Sequence, residues 1–282
     1  MLANWPRVTD VNDAFVAELV ASGVERREAR WLVEEFVPGG DPDAATALRQ
    51  AAARRLGGEP LQYIIGHWPF RSLDLDVDDR VLIPRPETEE LVDVALRELA
   101  GGGAAAPVVV DLGTGSGAIG LSLLAELAQR GITASLVALD ESSDALDVAR
   151  RNAAKHHLYT ASFVQSSWFS SLDDSLRGRI DLIVANPPYV GEAEFATLDP
   201  VLRHEPYGAL VADDACGVVG FSDLAVIISE APGWLREGGV LICEHADIHG
   251  GVASELARSV GFREADELLD MAGLSRFLVA RR

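Results

Sequence analysis

The sequence predicts an α/β protein with a mostly parallel, doubly wound sheet, preceded by a small helical module. Two observations lead to this prediction. From residue 107 onward, short apolar runs alternate with segments of helical spacing, which is the pattern of repeated βαβ units. Between residues 11 and 56, apolar residues recur at helical spacing only, with breaks at Gly23, PGGDPD (38–43) and GGEP (57–60). Because ligands of doubly wound sheets bind beyond the carboxyl ends of the strands, we expect the functional site there.

We expect three segments along the chain. Residues 1–68 form a helical domain, and residues 69–86 form a β-hairpin connector in which FRSLDLDVDDRVLIP alternates apolar and polar residues around Asp78-Asp79. Residues 87–282 form the α/β domain, which begins with a helix whose first turn is acidic.

The sequence pattern of the α/β domain predicts six strands and four further helices. We expect the strands at PVVVDL (107–112), SLVALD (135–140), SFVQSS (162–167), IDLIVA (180–185), GVLICEH (239–245) and SRFLVARR (275–282). We expect the helices at 117–130, 143–157, near 221–236 and at 250–260.

Composition narrows the class of protein. The chain has 282 residues and a net charge of −20, which argues against a protein that grips nucleic acid through its phosphates, because that needs a basic face. No apolar run reaches the length of a membrane span, and the start MLANWPRVTD lacks the layout of a secretory signal. The two cysteines are far apart and show no CxxC spacing. We therefore expect a cytoplasmic protein with no membrane contact, no disulfide framework and no metal.

The first candidate site is a glycine-rich turn between a strand and a helix. The strand VVVDL runs into GTGSG, where glycines allow a ligand close to the backbone and the helix N-terminus offers free N–H donors. The G-x-G-x-G spacing differs from the dinucleotide fingerprint G-x-G-x-x-G, although Gly120 blurs the distinction. The alternative is a tight turn with no ligand. The candidate cofactor-binding residues are Gly113, Thr114, Gly115, Ser116 and Gly117.

Two further candidates follow the next two strands. Asp140 closes the second strand a little over twenty residues beyond the glycines, where an acidic side chain can take both hydroxyls of a ribose. The alternative role is a helix N-cap, which Ser142 or Ser143 fills equally well. Trp168, after the third strand, is a candidate for packing on an adenine ring, although a Trp in the core is an equal alternative.

The fourth strand ends in Asn186-Pro187-Pro188-Tyr189. Proline has no N–H and a fixed φ, so two prolines stop the hydrogen-bond ladder and leave an amide side chain and free carbonyls at the strand end. In a doubly wound sheet this strand lies beside the first one, so this segment and the glycine turn share a crevice. The alternative is a simple strand-terminating turn.

These features together predict methyl transfer from S-adenosylmethionine to a planar –NH₂ nitrogen. The lone pair of such a nitrogen is delocalised, so two acceptors must hold its N–H groups while it faces the methyl carbon. The Asn186 side-chain oxygen and the Pro187 carbonyl are the candidate acceptors, and Tyr189 is the candidate to pack on the flat group. S-adenosyl-L-homocysteine is then the product, and no metal or nucleophilic side chain is needed.

Other polar residues carry weaker signals. His245 and His249 are four residues apart, but the glycines that follow make a helix bearing a zinc pair unfavourable. We expect Glu244 and His245 to shape the site or cap a helix, and the HH pair at 156–157 to lie at a helix C-terminus.

The chain resembles the N5-glutamine methyltransferases that modify class I peptide chain release factors, the PrmC/HemK family. The resemblance rests on PRPETE (84–89), DLGTGSG (111–117) and NPPY (186–189) in this order, and it extends from PLQYIIG (60–66) to SRFLVARR (275–282). It implies a class I S-adenosylmethionine-dependent fold, a seven-stranded sheet whose last strand is antiparallel, and an N-terminal helical domain that helps bind the protein substrate.

The resemblance also implies the substrate and the site residues. The substrate is the glutamine of the Gly-Gly-Gln loop of class I release factors. Gly113 to Gly117, Asp140, Trp168 and Asn186 would hold the cofactor. Asn186, Pro187, Pro188 and Tyr189 would hold the glutamine amide, with Arg85 and Pro86 near that loop. Ser167 stands where the family often has an acidic residue, so an acidic contact to the adenine amino group is in question.

Three alternatives remain at this stage. The same motifs fit methylation of a glutamine in a ribosomal protein. They also fit adenine-N6 methylation of DNA or RNA, which would require a basic cleft or a target-recognition module. The third alternative is a cofactor-binding module without catalysis.

Overall fold

The computed structural model describes residues 8–41 and 44–282 and divides the chain into two compact units. The first unit comprises Met1–His67 and Asp199–His204, and the second comprises Trp68–Leu198 and Glu205–Arg282. Residues 1–7 of the predicted helical domain, and residues 42 and 43 of its PGGDPD break, lie outside the described residues.

The first unit is helical. Its helices are α1 (Val8–Ala21), α2 (Arg26–Phe36), α3 (Ala45–Leu56) and α4 (Leu61–Ile65). Helix α2 begins where the Glu25 carboxylate accepts hydrogen bonds from the backbone N–H groups of Arg27 and Glu28. The helices bury a shared apolar core that includes Val16, Leu19, Leu32, Val33, Leu48 and Ala52. This core explains the helical spacing of apolar residues in the sequence.

A β-hairpin of β1 (His67–Phe70) and β2 (Leu73–Asp76) precedes the sheet of the second unit. The predicted hairpin is present, but its strands lie at 67–70 and 73–76 and not on both sides of Asp78-Asp79, because residues 81–84 form no strand. The backbone N–H of Ile83 instead donates to the Glu205 carboxylate at 3.0 Å, so this segment is held by a side chain and not by a ladder. The alternation of apolar residues there reflects burial of Val81 and Ile83 in irregular backbone.

The second unit contains a seven-stranded sheet flanked by helices, which confirms the predicted doubly wound fold. Its strands are β3 (Val108–Leu112), β4 (Ser135–Asp140), β5 (Ala161–Gln165), β6 (Ile180–Ala185), β7 (Leu235–Glu244), β8 (Glu264–Leu269) and β9 (Ser275–Arg281). Its helices are α5 (Thr88–Gly102), α6 (Ala118–Gln129), α7 (Ser143–Lys155), α8 (Glu192–Phe195), α9 (Ser222–Trp234) and α10 (Gly250–Ser259).

The strand order is β5-β4-β3-β6-β7-β9-β8, and β9 runs antiparallel to both of its neighbours. The pattern of the sequence did not predict β8. This strand lies at the sheet edge and exposes most of its side chains, so it lacks the apolar run that marked the other strands.

Helices cover both faces of the sheet, and the strand residues alternate between two apolar cores. Val109, Leu182 and Val240 pack on the face that α5 and α6 cover. Their neighbours Val110, Ile183 and Leu241 pack on the face that α9 and α10 cover. Strands buried on both faces read as continuous apolar runs, which is the pattern in the sequence.

The register places the polar ends of four strands along one sheet edge. Leu112 pairs with Leu139 on one side and with Ala185 on the other, and Ala185 pairs with Cys243. The residues that follow these partners are Gly113, Asp140, Asn186 and Glu244. Successive strands are added outward from β3 on one side and from β6 on the other. The topological switch point, where ligands bind, therefore lies between the carboxyl ends of β3 and β6. In the part of the chain that the structure describes, no helix is both long and apolar enough to span a membrane.

Candidate active site

A cavity of about 530 Å³ opens at the carboxyl edge of the sheet, within the second unit. The predicted site residues that line it are Gly113, Gly115, Asp140, Trp168, Asn186 and Pro188. The predicted residues outside its lining are Thr114, Ser116, Gly117, Pro187, Tyr189, Arg85 and Pro86. The structure therefore brings the glycine turn, Asp140, Trp168 and the Asn-Pro-Pro segment around one space.

The glycine turn is held in a conformation that requires glycine at three positions. Gly113, Gly115 and Gly117 have φ values of 68°, 55° and 87°. Buried Asp111 fixes the turn from below, since one carboxylate oxygen accepts from the Thr114 hydroxyl at 2.7 Å and from the backbone N–H of Gly120 at 3.0 Å. Burial raises the pKa of Asp111 to about 6. A Cβ at Gly115 would meet open space, so the turn leaves room for a ligand.

Asp140 connects β4 to this turn. One carboxylate oxygen accepts a hydrogen bond from the backbone N–H of Gly115 at 2.9 Å, and the other accepts from that of Ser142 at 2.9 Å. Each carboxylate oxygen has two lone pairs, so both can still accept from a ligand hydroxyl. Ser142, and not Asp140, is the N-cap of α7, because its hydroxyl accepts from the backbone N–H of Ala145 at 3.2 Å. Burial raises the pKa of Asp140 above its ordinary value.

Trp168 forms one wall of the cavity beside the glycine turn. Its backbone has a φ of 46°, and its indole N–H donates to the Asp223 carboxylate at 3.1 Å. A Cβ at Gly113 would lie 3.4 Å from the Trp168 ring, so the ring packs directly against the turn. Ser167 and Asp223 both line the cavity, and Asp223 supplies a carboxylate at this end.

Asn186 follows β6 and is held by α5. Its side-chain nitrogen donates to the Thr88 hydroxyl oxygen at 3.3 Å, and Thr88 in turn donates to the Glu244 carboxylate at 2.7 Å. The Asn186 Oδ1 atom accepts no hydrogen bond from the described residues and is not sealed in the interior. Among those residues, no donor reaches the carbonyl oxygen of Pro187 either. Two acceptors at the strand end are thus free.

The backbone after the prolines is pinned to the segment that covers it. The N–H groups of Tyr189 and Val190 both donate to the Leu210 carbonyl, at 3.2 and 2.9 Å. Burial raises the pKa of Tyr189 to about 12, and the nearby Glu244 carboxylate acts in the same direction. Tyr189 therefore stays a neutral phenol.

Arg85 contacts Glu205. Its guanidinium donates to the Glu205 carboxylate at 2.6 Å, and the other Glu205 oxygen accepts from the backbone N–H of Ile83. Glu205 is buried, so this pair fixes PRPETE to the loop that follows β6.

Sequence reasoning missed part of the cavity wall. The missed residues are Arg80, Val81, Leu82, Leu139, Glu141, Ala145, Ser166, Pro206, Gly208, Ala209, Val211 and Asp223. Asp223 carried a signal in the sequence, because it is an acidic residue in the first turn of a predicted helix. Residues 80–82 and 206–211 lie outside the long helices and strands, and Glu205 holds the first of these segments in place through Ile83.

His245 and His249 are both buried near this edge. Nδ1 of His245 donates to the Ala246 carbonyl and Nε2 of His249 donates to the Val219 carbonyl, both at 2.8 Å. Burial lowers the pKa of His245. Residues 8–41 and 44–282 contain no group of three or more His, Cys, Asp or Glu side chains that could hold a metal ion.

The sheet order, the single antiparallel strand and the glycine turn beside an acidic strand end define a methyltransferase of the S-adenosylmethionine-dependent class. A family model described as a methyltransferase domain matches residues 105–268. Solved structures agree on the fold. One is the Thermus thermophilus 16S rRNA N2 G1207 methyltransferase in complex with AdoMet and guanosine, with a TM-score of 0.54 and 18% identity over 77% of this chain and 49% of that one. Another is the human Mettl16 catalytic domain, with a TM-score of 0.54 and 15% identity over 95% and 90%.

Two relatives by sequence carry the name release factor glutamine methyltransferase. The protein from Chlorobaculum tepidum is 44% identical over 226 residues, which is 78% of this chain and 73% of the relative. The protein from Bordetella pertussis is 38% identical over 260 residues, which is 92% of each chain. The chain belongs to the release factor glutamine methyltransferase family, as its motifs led us to expect.

Proposed function

We propose that this protein methylates the side-chain amide nitrogen, N5, of the glutamine in the Gly-Gly-Gln motif of class I release factors. The observation that carries the proposal is Asn186 Oδ1, a free acceptor on a residue that lines the cavity beside the glycine turn. The Pro187 carbonyl, which no donor among the described residues reaches, follows it directly in the chain. Membership in the family supports the choice of glutamine as the group that these acceptors receive.

The residues of the cavity fit S-adenosylmethionine. The open space over Gly115 lets a ligand approach the backbone, and the spare lone pairs of Asp140 suit the two hydroxyls of a ribose. Trp168 offers an aromatic surface to the adenine. Asp223 offers a carboxylate to the adenine amino group, and so supplies the acidic contact that is absent at position 167, where this chain has serine. When bound, the cofactor supplies an electrophilic methyl group on its sulfonium sulfur.

Asn186 and Pro187 hold the nitrogen that accepts the methyl group. Their two oxygens accept the two N–H groups of the glutamine amide, which keeps the nitrogen in one plane and aims it along one direction. Fixed orientation of this kind accounts for several orders of magnitude in rate, on the order of 7 kcal/mol or more in favourable cases. Transfer would join the amide nitrogen to the methyl carbon, break the bond from that carbon to sulfur and release one nitrogen proton to water, so no side-chain base would be required.

The helical unit and the acidic charge support a protein substrate. A net charge of −20 suits a basic partner and opposes nucleic-acid phosphates. We assign residues 1–68 to binding of the release factor, and PRPETE to the region near its Gly-Gly-Gln loop. No direct contact with nucleic acid or a membrane is part of this proposal.

The test is methyl transfer from labelled S-adenosylmethionine by the purified protein. A class I release factor should take up label, and the same factor with its Gly-Gly-Gln glutamine changed to glutamate should not. Label on a ribosomal protein or an adenine oligonucleotide, with none on the release factor, would overturn the proposal.

Asn186→Ala provides the internal control. It should lower turnover about 100-fold or more, the usual scale for loss of a preorganised polar contact, and leave the Kd of S-adenosylhomocysteine within about twofold of the wild type. Equal losses of turnover and of cofactor affinity would contradict the role given to Asn186.

A further inference from the structure

Resting on the proposed function, we infer that Thr88 and Glu244 are positioning residues that turn the Asn186 amide so that its oxygen, and not its nitrogen, faces the substrate. Neither residue lines the cavity. They act through Asn186, which does.

The three residues converge from three elements. The strand register sets Asn186 and Glu244 side by side at the ends of β6 and β7, and Thr88 is the first residue of α5, which packs over both strands. Thr88 Oγ1 lies 2.7 Å from Glu244 Oε2 and 3.3 Å from Asn186 Nδ2. Thr88 and Glu244 are 4% and 2% exposed, so water does not compete for these bonds.

The donors and acceptors available to these three side chains fix the direction of each hydrogen bond between them. An ionised carboxylate only accepts hydrogen bonds, so the single proton of the Thr88 hydroxyl goes to Glu244. The hydroxyl oxygen can then only accept from Asn186, which requires the –NH₂ end of the amide. The carbonyl oxygen of the amide is thereby directed away from Thr88, where it remains free for a substrate N–H. The two ends of an amide are close to equivalent in shape, so only these hydrogen bonds determine which end faces the substrate.

Protonation of Glu244 reverses the direction of these hydrogen bonds. A neutral carboxyl can donate to Thr88, whose own proton can then be given to Asn186 Oδ1, and the amide turns its nitrogen to the substrate. Burial raises the pKa of Glu244 to about 7. The charged groups that face it are Arg276 and Arg85, which favour the ionised form, and Glu87, which opposes it, with the neutral Tyr189 alongside.

The experiment compares Thr88→Val, which keeps the shape and removes the hydroxyl, with Thr88→Ser, which keeps the hydroxyl. We expect Thr88→Val to lower kcat on the release factor about tenfold or more, with the Kd of S-adenosylhomocysteine within about twofold of wild type. Thr88→Ser should recover most of the rate. Unchanged kcat in Thr88→Val, or equal loss in both variants, would overturn the inference.

A second measurement does not depend on catalysis. The side-chain ¹⁵N–¹H signals of Asn186, assigned by their absence in Asn186→Ala, should shift with pH around a midpoint near 7 in the wild type. They should show no such step in Glu244→Gln. A wild-type signal with no step in this range, or the same step in Glu244→Gln, would overturn the inference. If the wild type methylates no release factor while the step is present, the proposed function fails and the positioning role stands.

Discussion

The Asp140 carboxylate accepts a hydrogen bond from the backbone N–H of Gly115 at 2.9 Å, so the side chain that ends β4 holds the glycine turn that follows β3. The same carboxylate faces the cavity. One residue thus shapes the turn and presents acceptors to the ligand.

Asp140→Ala removes both of these contributions. We expect the affinity for S-adenosylhomocysteine to fall at least about tenfold, because two charge-assisted contacts to ligand hydroxyls are lost. Isothermal titration calorimetry measures the change. Turnover at saturating cofactor should fall much less than it does in Asn186→Ala, and the opposite ranking would contradict the division of roles between the two residues.

Gly113→Ala tests the packing of the turn against Trp168. The added Cβ would lie 3.4 Å from the indole ring, at a φ of 68° that alanine disfavours. Gly131→Ala is the matched control, because its φ of 75° is similar and its Cβ would meet nothing within 4 Å. Both variants should lose about 1 kcal/mol of stability in urea unfolding. Only Gly113→Ala should weaken S-adenosylhomocysteine binding, by about tenfold, and equal binding in the two variants would refute the packing role.

Gly220→Ala tests the support behind the Asn-Pro-Pro-Tyr segment. A Cβ at Gly220 would collide with the backbone carbonyl of Tyr189, which cannot move without shifting the prolines. Gly217 has a similar φ, 74° against 64°, and open space around its Cβ, so Gly217→Ala serves as the control. We expect kcat to fall about tenfold or more in Gly220→Ala and to stay near wild type in Gly217→Ala. Steady-state methylation rates decide this, and similar kcat values would contradict it.

Glu244→Gln should stabilise the protein at alkaline pH. Burial raises the pKa of Glu244 from 4.5 to about 7, although Thr88 and Arg276 lower it. A carboxyl whose folded pKa exceeds its unfolded pKa contributes stability at low pH and loses it as the pH rises through the folded value. Between about pH 4.5 and 7.5, the unfolding free energy of the wild type should therefore fall relative to Glu244→Gln, by on the order of 3 kcal/mol.

Urea unfolding at a series of pH values measures this difference. Glu255→Gln, at an exposed position on α10, should give a curve parallel to that of the wild type. If Glu244→Gln also gave a parallel curve, ionisation of the buried Glu244 carboxyl would not lower the unfolding free energy, and the prediction would be contradicted.

Much of this site follows from the sequence because its parts are local. Gly113, Asp140 and Asn186 each come directly after an apolar strand, and parallel pairing brings such positions to one edge. The same rule places Glu244 there, yet its partner could not be read from a pattern. Thr88 and Glu244 are 156 residues apart, and their hydrogen bond depends on how α5 packs on the sheet.

The errors have physical causes of the same kind. Strand β8 was missed because an edge strand has one neighbour and needs few buried side chains. Residues 81–84 resembled a strand, but Glu205, far along the chain, takes the backbone N–H of Ile83. Where a distant side chain replaces a local ladder, alternation of apolar residues alone does not identify the secondary structure.

The proposed function depends on which atom receives the methyl group. The most direct measurement is tandem mass spectrometry of the Gly-Gly-Gln peptide from a class I release factor after incubation with the purified protein and S-adenosylmethionine. We predict one methyl group on the side-chain nitrogen of the glutamine, absent when Asn186→Ala replaces the wild type. A methyl group on any other residue, or an unmodified glutamine in an intact factor, would contradict the proposed function.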